Sequence, residues 1–221
     1  FSDVQIELRE CVEIYLNRRI VPVISNKEDL DFILSNREFE NFPLFIKFNT
    51  GMNRLGLDMF SVDEVIESIK RSGRKSIYHL MTHLSSSSMP IKTNKRNILQ
   101  FENFEKIKKS FTDAGIEIEA TSISNSGAIE QGAGLSETHV RPGIMMYGPS
   151  SLLPQYSGLS SWTGEIISRL ETYVISIFDV SKGQPVGYGA TPCPGNGRVA
   201  IIALGYGDGF STRYLGASLN H

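Results

Sequence analysis

Charged and hydroxyl side chains follow several short apolar runs of this sequence. "PLFIKF" has a lysine as its next-to-last residue and is followed by a Gly-Met-Asn turn and an arginine, and "SIYHLMTHL" has a histidine as its next-to-last residue. In a parallel α/β protein, reactive side chains gather where strands end and loops begin, so this placement indicates chemistry held on loops. The candidates are Lys47, Arg54, His83, Asn125, Ser126 and the stretch Arg141 to Ile144.

Each candidate also has an ordinary structural explanation. In "SNSGAI", Asn125 and Ser126 could simply cap a helix, or the capped helix could present N–H groups to a phosphate. Arg141 before Pro-Gly could be a turn, and "GYGDG" could be a tight β connection. His83 could be a hydrogen-bonded structural histidine of the sheet, which is the explanation we adopt for His79 on the same strand.

The elements that must position these residues alternate between strand and helix. The apolar patterns predict strands at 20–25, 43–48, 76–84, 116–124 and 138–148, and helices at 27–36, 61–73 and 97–115. The second helix begins with the capping-box pattern Ser61-x-x-Glu64, and the later two end at glycines. This alternation, without a GxGxxG motif, predicts an α/β fold that is part of a (β/α)8 barrel.

The pattern changes after about residue 155. Apolar and polar residues then alternate, interrupted by Lys-Gly-Gln-Pro and Pro-Gly-Asn-Gly turns, which predicts a mainly antiparallel β domain. The Ser-, Gly- and Pro-rich segment 148–161 resembles a linker. We therefore predict a partial, cofactor-binding barrel over residues 1–150 and a C-terminally incomplete β domain over 151–221.

Composition narrows the function classes. The 22 basic and 24 acidic residues give a net charge of -2 without a long basic block, which argues against a nucleic-acid partner. The longest apolar runs are too short to span a bilayer. The two cysteines form neither a disulfide framework nor a metal-ligand spacing, so we expect a cytoplasmic protein without a metal site.

Taken together, the motifs resemble those of the alanine racemase family, which uses pyridoxal 5'-phosphate. Six motifs occur in the family's order and spacing over nearly the whole chain. They are "KFNTGMNRLG" (47–56), "MTHLSSS" (81–87), "SNSGAI" (124–129), "VRPGIMMYG" (140–148), "VGYGAT" (186–191) and "ALGYGDGF" (203–210). The resemblance implies a (β/α)8 barrel followed by a β domain, interconversion of L- and D-alanine for cell-wall precursors, and a homodimer with shared active sites.

The resemblance also implies roles for individual residues. Ser126 and the N–H groups of Gly143 and Ile144 match the positions that bind the cofactor phosphate, next to Asn125. Arg141 matches the arginine that faces the pyridine nitrogen. An arginine only donates hydrogen bonds, so it would keep that nitrogen unprotonated.

Three further matches concern the substrate. Tyr206 matches the tyrosine that acts on one face of the substrate α-carbon, and His83 matches the histidine that links this tyrosine to the arginine. Arg54 matches an arginine beside the substrate carboxylate. Lys47 matches a lysine that carries a carbamate in some relatives, although this sequence has Asn49 where many relatives have aspartate.

The sequence departs from the family pattern in one important respect. No lysine has the context of the family's cofactor-anchoring lysine, so we expect a chain truncated at both ends and inactive on its own. A broad-specificity racemase of the same fold and a non-catalytic barrel fragment remain as alternatives. A decarboxylase of this fold fits less well, because "RPGIMMYG" replaces its Gly-rich phosphate loop.

Overall fold

A computed structural model of the chain describes residues 11–210. The chain divides into two compact units, one ending at Ile167 and the other beginning at Ser168. This division falls a few residues after the linker predicted at 148–161. The domain boundary at residue 150 stays a prediction.

The first unit is built from parallel βα repeats. Its strands are β1 (Val23–Ile24), β2 (Phe45–Asn49), β3 (Leu57–Asp58), β4 (Ser76–Met81) and β5 (Glu117–Ser122). Its α-helices are α1 (Val12–Arg18), α2 (Lys27–Ser35), α3 (Val62–Arg71), α4 (Lys95–Asp113) and α5 (Ser126–Glu130). Within the described residues, the sheet order is β1-β2-β4-β5, β3 pairs with the end of β2, and all pairs are parallel. The prediction of parallel α/β units is confirmed.

The two faces of this sheet differ in character. One face packs on the helices through fully buried apolar side chains such as Ile46, Phe48 and Leu80. The pairings Phe45 with His79 and Lys47 with Met81 put these four residues on the other face, and Met81 pairs in turn with Ser122 of β5. Because side chains alternate across a strand, the polar candidates of β2, β4 and β5 share that second face.

The helix ends follow local chemistry with one exception. Helices α3 and α4 are followed by Gly73 and Gly115 at φ values of 82° and 74°, as the sequence predicts. The prediction of a capping box at Ser61 is wrong. The Ser61 side chain makes no capping hydrogen bond to α3, and its hydroxyl donates instead to the carbonyl oxygen of Asp58, 2.8 Å away. Asp58 instead caps a 3₁₀ helix, Met59–Ser61, that precedes α3.

The predicted strand over 138–148 is also wrong. The segment begins beside β5: the N–H of His139 donates to Thr121 O at 3.0 Å, and that of Arg141 donates to Ser124 O at 2.9 Å. Pro142 then has no N–H to continue a ladder. The chain turns instead into a 3₁₀ helix, Ile144–Tyr147.

The second unit is antiparallel, as predicted. Strand β6 (Val174–Val180) pairs with β9 (Gly197–Ile202), and β7 (Pro185–Val186) pairs with β8 (Thr191–Pro192). Both predicted turns lie between strands, the first with Gly183 at φ 84°. Between residues 11 and 210, none of the helices combines the length and the apolar character needed to cross a membrane.

Candidate functional site

Arg141 is a partly buried cation of the candidate site. It comes from the segment beyond β5, and its guanidinium donates to the Ser122 hydroxyl and to the carbonyl oxygen of Thr82. Its backbone N–H is fixed on Ser124. Burial lowers the pKa of Arg141 to about 10, which still leaves the side chain protonated at neutral pH. The site therefore contains a fixed positive charge that can only donate hydrogen bonds.

His83 lies two residues after the end of β4. It follows Thr82, whose backbone carbonyl oxygen accepts a hydrogen bond from Arg141. Asn125 caps helix α5, and its amide nitrogen lies 3.1 Å from Leu84 O and 3.5 Å from Nε2 of His83. The side-chain oxygen of Asn125 accepts from the N–H of Ala128, so the capping explanation of this motif is confirmed. Asn125 thus connects the end of β5 with the histidine loop.

Ser126 and Gly143 are brought together from different segments. The N–H of Gly143 donates to the Ser126 hydroxyl oxygen at 2.8 Å, and that of Met145 does so at 3.4 Å. Because this oxygen accepts from two amides, its own hydrogen is available to a further acceptor. Ile144 begins a 3₁₀ helix, where N–H groups have no intrahelical partner. The Ser126 hydroxyl hydrogen and the Ile144 N–H are therefore the donors that suit a phosphate oxygen, while the Gly143 N–H donates to Ser126.

The Arg54 loop leaves the end of β2 in an unusual conformation. The side-chain oxygen of Asn49 accepts from the N–H groups of Gly51 and Asn53, and its amide nitrogen donates to the side chain of Asn53 at 2.9 Å. Asn53 itself has a φ of 56°. An aspartate at position 49 could not make that last donation, so the amide of Asn49 has a specific partner in Asn53.

Lys47 and Arg54 differ in environment. Lys47 is buried, with 9% of its surface exposed, on the sheet face that also carries His79 and Met81. Arg54 is exposed on its loop. The loop requires glycine at position 56, where φ is 131° and an added Cβ would lie 2.5 Å from the N of Asn49.

Tyr206 belongs to the second unit. It begins a 3₁₀ turn, Tyr206–Asp208, which residues 203–205 connect to β9, and 71% of its surface is exposed. The Asp208 carboxylate accepts from the N–H of Gly205 at 2.9 Å and closes this turn. The catalytic role of Tyr206 stays a prediction, as do the roles of the first unit's candidates.

The sequence pattern did not identify the amides that support the site. Helix α4 presents Asn97, Gln100 and Asn103 on one buried stripe, which we call the amide stripe. Gln100 donates to Thr50 Oγ1 at 3.2 Å and to His83 O at 3.0 Å, and Asn103 donates to Thr50 O at 3.3 Å. Buried amides spaced three residues apart on an otherwise apolar helix face were the available signal.

Comparison with known proteins identifies the family that the sequence matches. Residues 6–151 match the model of the alanine racemase N-terminal domain, and residues 167–219 match that of the C-terminal domain. A curated alanine racemase from Hahella chejuensis is 31% identical over 170 residues, which cover 75% of this chain and 43% of that protein. The chain thus spans about half the length of such relatives or less.

Solved structures give the same result for the fold. The biosynthetic alanine racemase from Pseudomonas aeruginosa superposes with a TM-score of 0.71 at 25% identity, over 93% of this chain and 55% of that one. The alanine racemase from Bartonella henselae, described with covalently bound pyridoxal phosphate, has a TM-score of 0.66 at 24% identity and covers 91% and 54%. The predicted fold class, a partial (β/α)8 barrel followed by a β domain, is confirmed.

Proposed function

The chain belongs to the alanine racemase family, and on that premise we propose that the complete protein interconverts L- and D-alanine with pyridoxal 5'-phosphate as cofactor. Its product would supply D-alanine for cell-wall precursors. One observation carries the proposal: Arg141, His83 and Ser126 come from separate segments yet are connected at the ends of β4 and β5.

The residues present fit the cofactor. The Ser126 hydroxyl and the Ile144 N–H would hold its phosphate, and the Gly143 N–H would join them by exchanging its bond to the Ser126 oxygen for one to the phosphate. Asn125 would keep their loop in place. The bound cofactor supplies an electron sink for the charge left when the substrate α-proton is removed. Arg141 would face the pyridine nitrogen. A permanent donor there keeps that nitrogen unprotonated, which weakens the sink and favours simple reprotonation.

Tyr206 is the proposed proton carrier on one face of the substrate α-carbon. An ordinary phenol has a pKa near 10, so neighbouring positive charge must assist deprotonation, and His83 and Arg141 are the proposed source. The opposite face requires a lysine that also anchors the cofactor. We assign that lysine to a part of the complete protein outside this chain.

Arg54 is the proposed contact for the substrate carboxylate, because a guanidinium matches a carboxylate with two parallel hydrogen bonds. Lys47 is the proposed site of a carbamate, which would turn a buried cation into an anion able to orient Arg54. Mass spectrometry of the intact native protein tests this modification directly. Lys47→Gln should lose the added mass of one carbon dioxide, whereas an unchanged mass difference would refute the assignment.

The proposed assembly is a cytoplasmic homodimer in which Tyr206 of one subunit serves the barrel site of the other. A complementation experiment tests it. Mixed dimers of Tyr206→Phe chains and chains lacking the anchoring lysine should recover activity, because one of their two sites is intact. No recovery from demonstrably mixed dimers would contradict sharing.

The activity itself is tested on the complete protein loaded with pyridoxal 5'-phosphate. Chiral chromatography should show racemisation of L-alanine. Tyr206→Phe should reduce it by at least 100-fold, within the range of general acid–base contributions, and Arg141→Ala should also reduce it, because the charge proposed to assist deprotonation of Tyr206 is lost. Equal rates with bulky amino acids would favour the alternative of a broad-specificity racemase. Cofactor binding without racemisation of any amino acid would favour a non-catalytic barrel.

A further inference from the structure

His79 makes a buried hydrogen bond that has no part in the proposed function. It lies in β4, is only 6% exposed, and its Nε2 is 2.8 Å from the hydroxyl oxygen of Ser122 in β5. Ser122 is fully buried and also receives a hydrogen bond from the guanidinium of Arg141. Three residues from three segments, of which His79 and Ser122 are buried and Arg141 is partly buried, thus form one chain of contacts.

The direction of this chain follows from what each group can donate. A guanidinium has only donors, so the Ser122 oxygen must be the acceptor in its bond with Arg141. Ser122 then has one hydrogen of its own to give, and Nε2 of His79 is the acceptor beside it. This bond requires a neutral imidazole that carries its hydrogen on Nδ1.

The surroundings of His79 keep the imidazole neutral. The ring is buried between Phe45 and His139, with centroid distances of 5.2 Å and 5.3 Å. Burial, followed by the nearby His139 and Arg141, lowers the pKa of His79 to about 4. At neutral pH the imidazole therefore accepts from Ser122 instead of competing with Arg141 to donate.

We propose that His79 is a positioning residue for Arg141. Its Nε2 accepts a hydrogen bond from the Ser122 hydroxyl, which directs the lone pairs of the Ser122 oxygen toward the guanidinium and so fixes the plane of Arg141. The hydrogen bonds from Arg141 to Ser122 and from Ser122 to His79 do not depend on the proposed function. Their effect on catalysis rests on that function, in which Arg141 faces the pyridine nitrogen. A merely packed core histidine would have no such link to Arg141.

The first experiment reads the tautomer directly. Long-range ¹H–¹⁵N NMR of histidine-labelled complete protein, with the His79 signal assigned by His79→Gln, should show hydrogen on Nδ1 and an unprotonated Nε2 at pH 7. Ser122→Ala should shift this signal toward a mixture of tautomers, because the hydroxyl donor is gone. Hydrogen found on Nε2 in the unsubstituted protein would overturn the proposal, whether or not the protein racemises alanine.

The second experiment measures how His79 acts. His79→Phe keeps an aromatic ring without an acceptor, and we expect about a 5- to 10-fold loss of kcat and of cofactor affinity, as for one hydrogen bond. His79→Gln, which returns an acceptor oxygen, should recover most of that loss. Tyr78→Phe, next on the strand, serves as the matched control and should leave both values unchanged.

The double variant separates positioning from packing. If His79 acts through Ser122, then His79→Phe combined with Ser122→Ala should be no worse than Ser122→Ala alone. Additive losses would overturn the proposal, as would a His79→Phe enzyme with full activity and affinity. An unsubstituted protein that lacks racemase activity would instead refute the proposed function and leave the tautomer result standing.

Discussion

The amide nitrogen of Gln100, in the middle of helix α4, lies 3.0 Å from the backbone carbonyl oxygen of His83. The same side chain donates to Thr50 Oγ1 and accepts from the N–H and hydroxyl of Ser85. One buried residue therefore connects the end of β2, the histidine loop and a helix. Its position makes it a structural support for two loops that carry proposed site residues.

Gln100→Leu tests this support. Removing the amide leaves His83 O and Thr50 without their donor, and we expect a loss of about 2 to 3 kcal/mol in the free energy of unfolding, since orphaned buried groups cost about 1–3 kcal/mol each. Urea denaturation of the complete protein measures the loss. The matched substitution Gln155→Leu, at an exposed position, should change stability little, and equal effects of the two would contradict the assignment.

Gly56 is predicted to tolerate no side chain. At φ 131°, an alanine Cβ would lie 2.5 Å and 2.7 Å from the backbone of Asn49 and Phe48. We expect Gly56→Ala to destabilise the protein by about 2 to 4 kcal/mol and to displace the Arg54 loop. Thermal unfolding provides the measurement. Gly195→Ala, where nothing lies within 4 Å, is the control, and similar melting temperatures for the two variants would refute the strain argument.

Glu130 anchors the segment that follows the proposed phosphate-binding residues. Its buried carboxylate accepts from the hydroxyls of Ser150 and Ser151 and from the N–H of Ser151, at 2.5 to 2.7 Å. Glu130→Gln replaces one acceptor oxygen by a donor, which opposes one of these bonds. We expect a loss of about 1 to 3 kcal/mol in unfolding free energy, typical of hydrogen bonds to charged groups. Glu102→Gln on an exposed face of α4 should be neutral, and a neutral Glu130→Gln would contradict the anchor.

The protonation of His79 predicts a pH dependence of stability. Its pKa is about 4 in the folded protein and near 6.5 when unfolded, so between these values the unfolded chain binds more protons. Stability should therefore fall as pH decreases from 6.5 to 4 and level off below. The share due to His79 is about 3 to 4 kcal/mol, by the conversion of about 1.4 kcal/mol per pKa unit.

Urea denaturation at several pH values, compared between the unsubstituted protein and His79→Gln, isolates this share. The difference between the two curves should be flat above pH 7 and should change through the window from 6.5 to 4. A difference that stays constant throughout, or that grows above pH 7, would show that His79 does not titrate as the geometry requires.

The sequence predicts the repeated elements well because their signals are local. Helices α2 to α4 and strands β2, β4 and β5 follow from apolar spacing and from glycines at helix ends. The strand expected at 138–148 does not form, because Pro142 has no N–H to continue the pairing despite the apolar residues around it. Ser61 fails as a cap because Asp58, three residues earlier, supplies a competing carbonyl.

The sequence proposes residue types for the candidate site but gives no information on the contacts between them. Local patterns single out Arg141 and Ser126. The bond between Arg141 and Ser122 spans 19 residues and depends on how the segment after α5 returns along β5. Likewise, nothing in the sequence near His79 indicates that its ring nitrogen meets Ser122, because that contact joins neighbouring strands 43 residues apart.

The segment beside β5 also has a consequence for self-association. In the sheet that the described residues form, β5 is an outer strand, and such strands can recruit the strands of other molecules. Here the Thr138 hydroxyl contacts both the N–H and the carbonyl of Thr121, and His139 adds a second donor to that carbonyl. Pro142 then ends the pairing. Thr138 and Pro142 together make the carboxyl end of β5 a poor template for intermolecular β-sheet growth, so this edge resists aggregation.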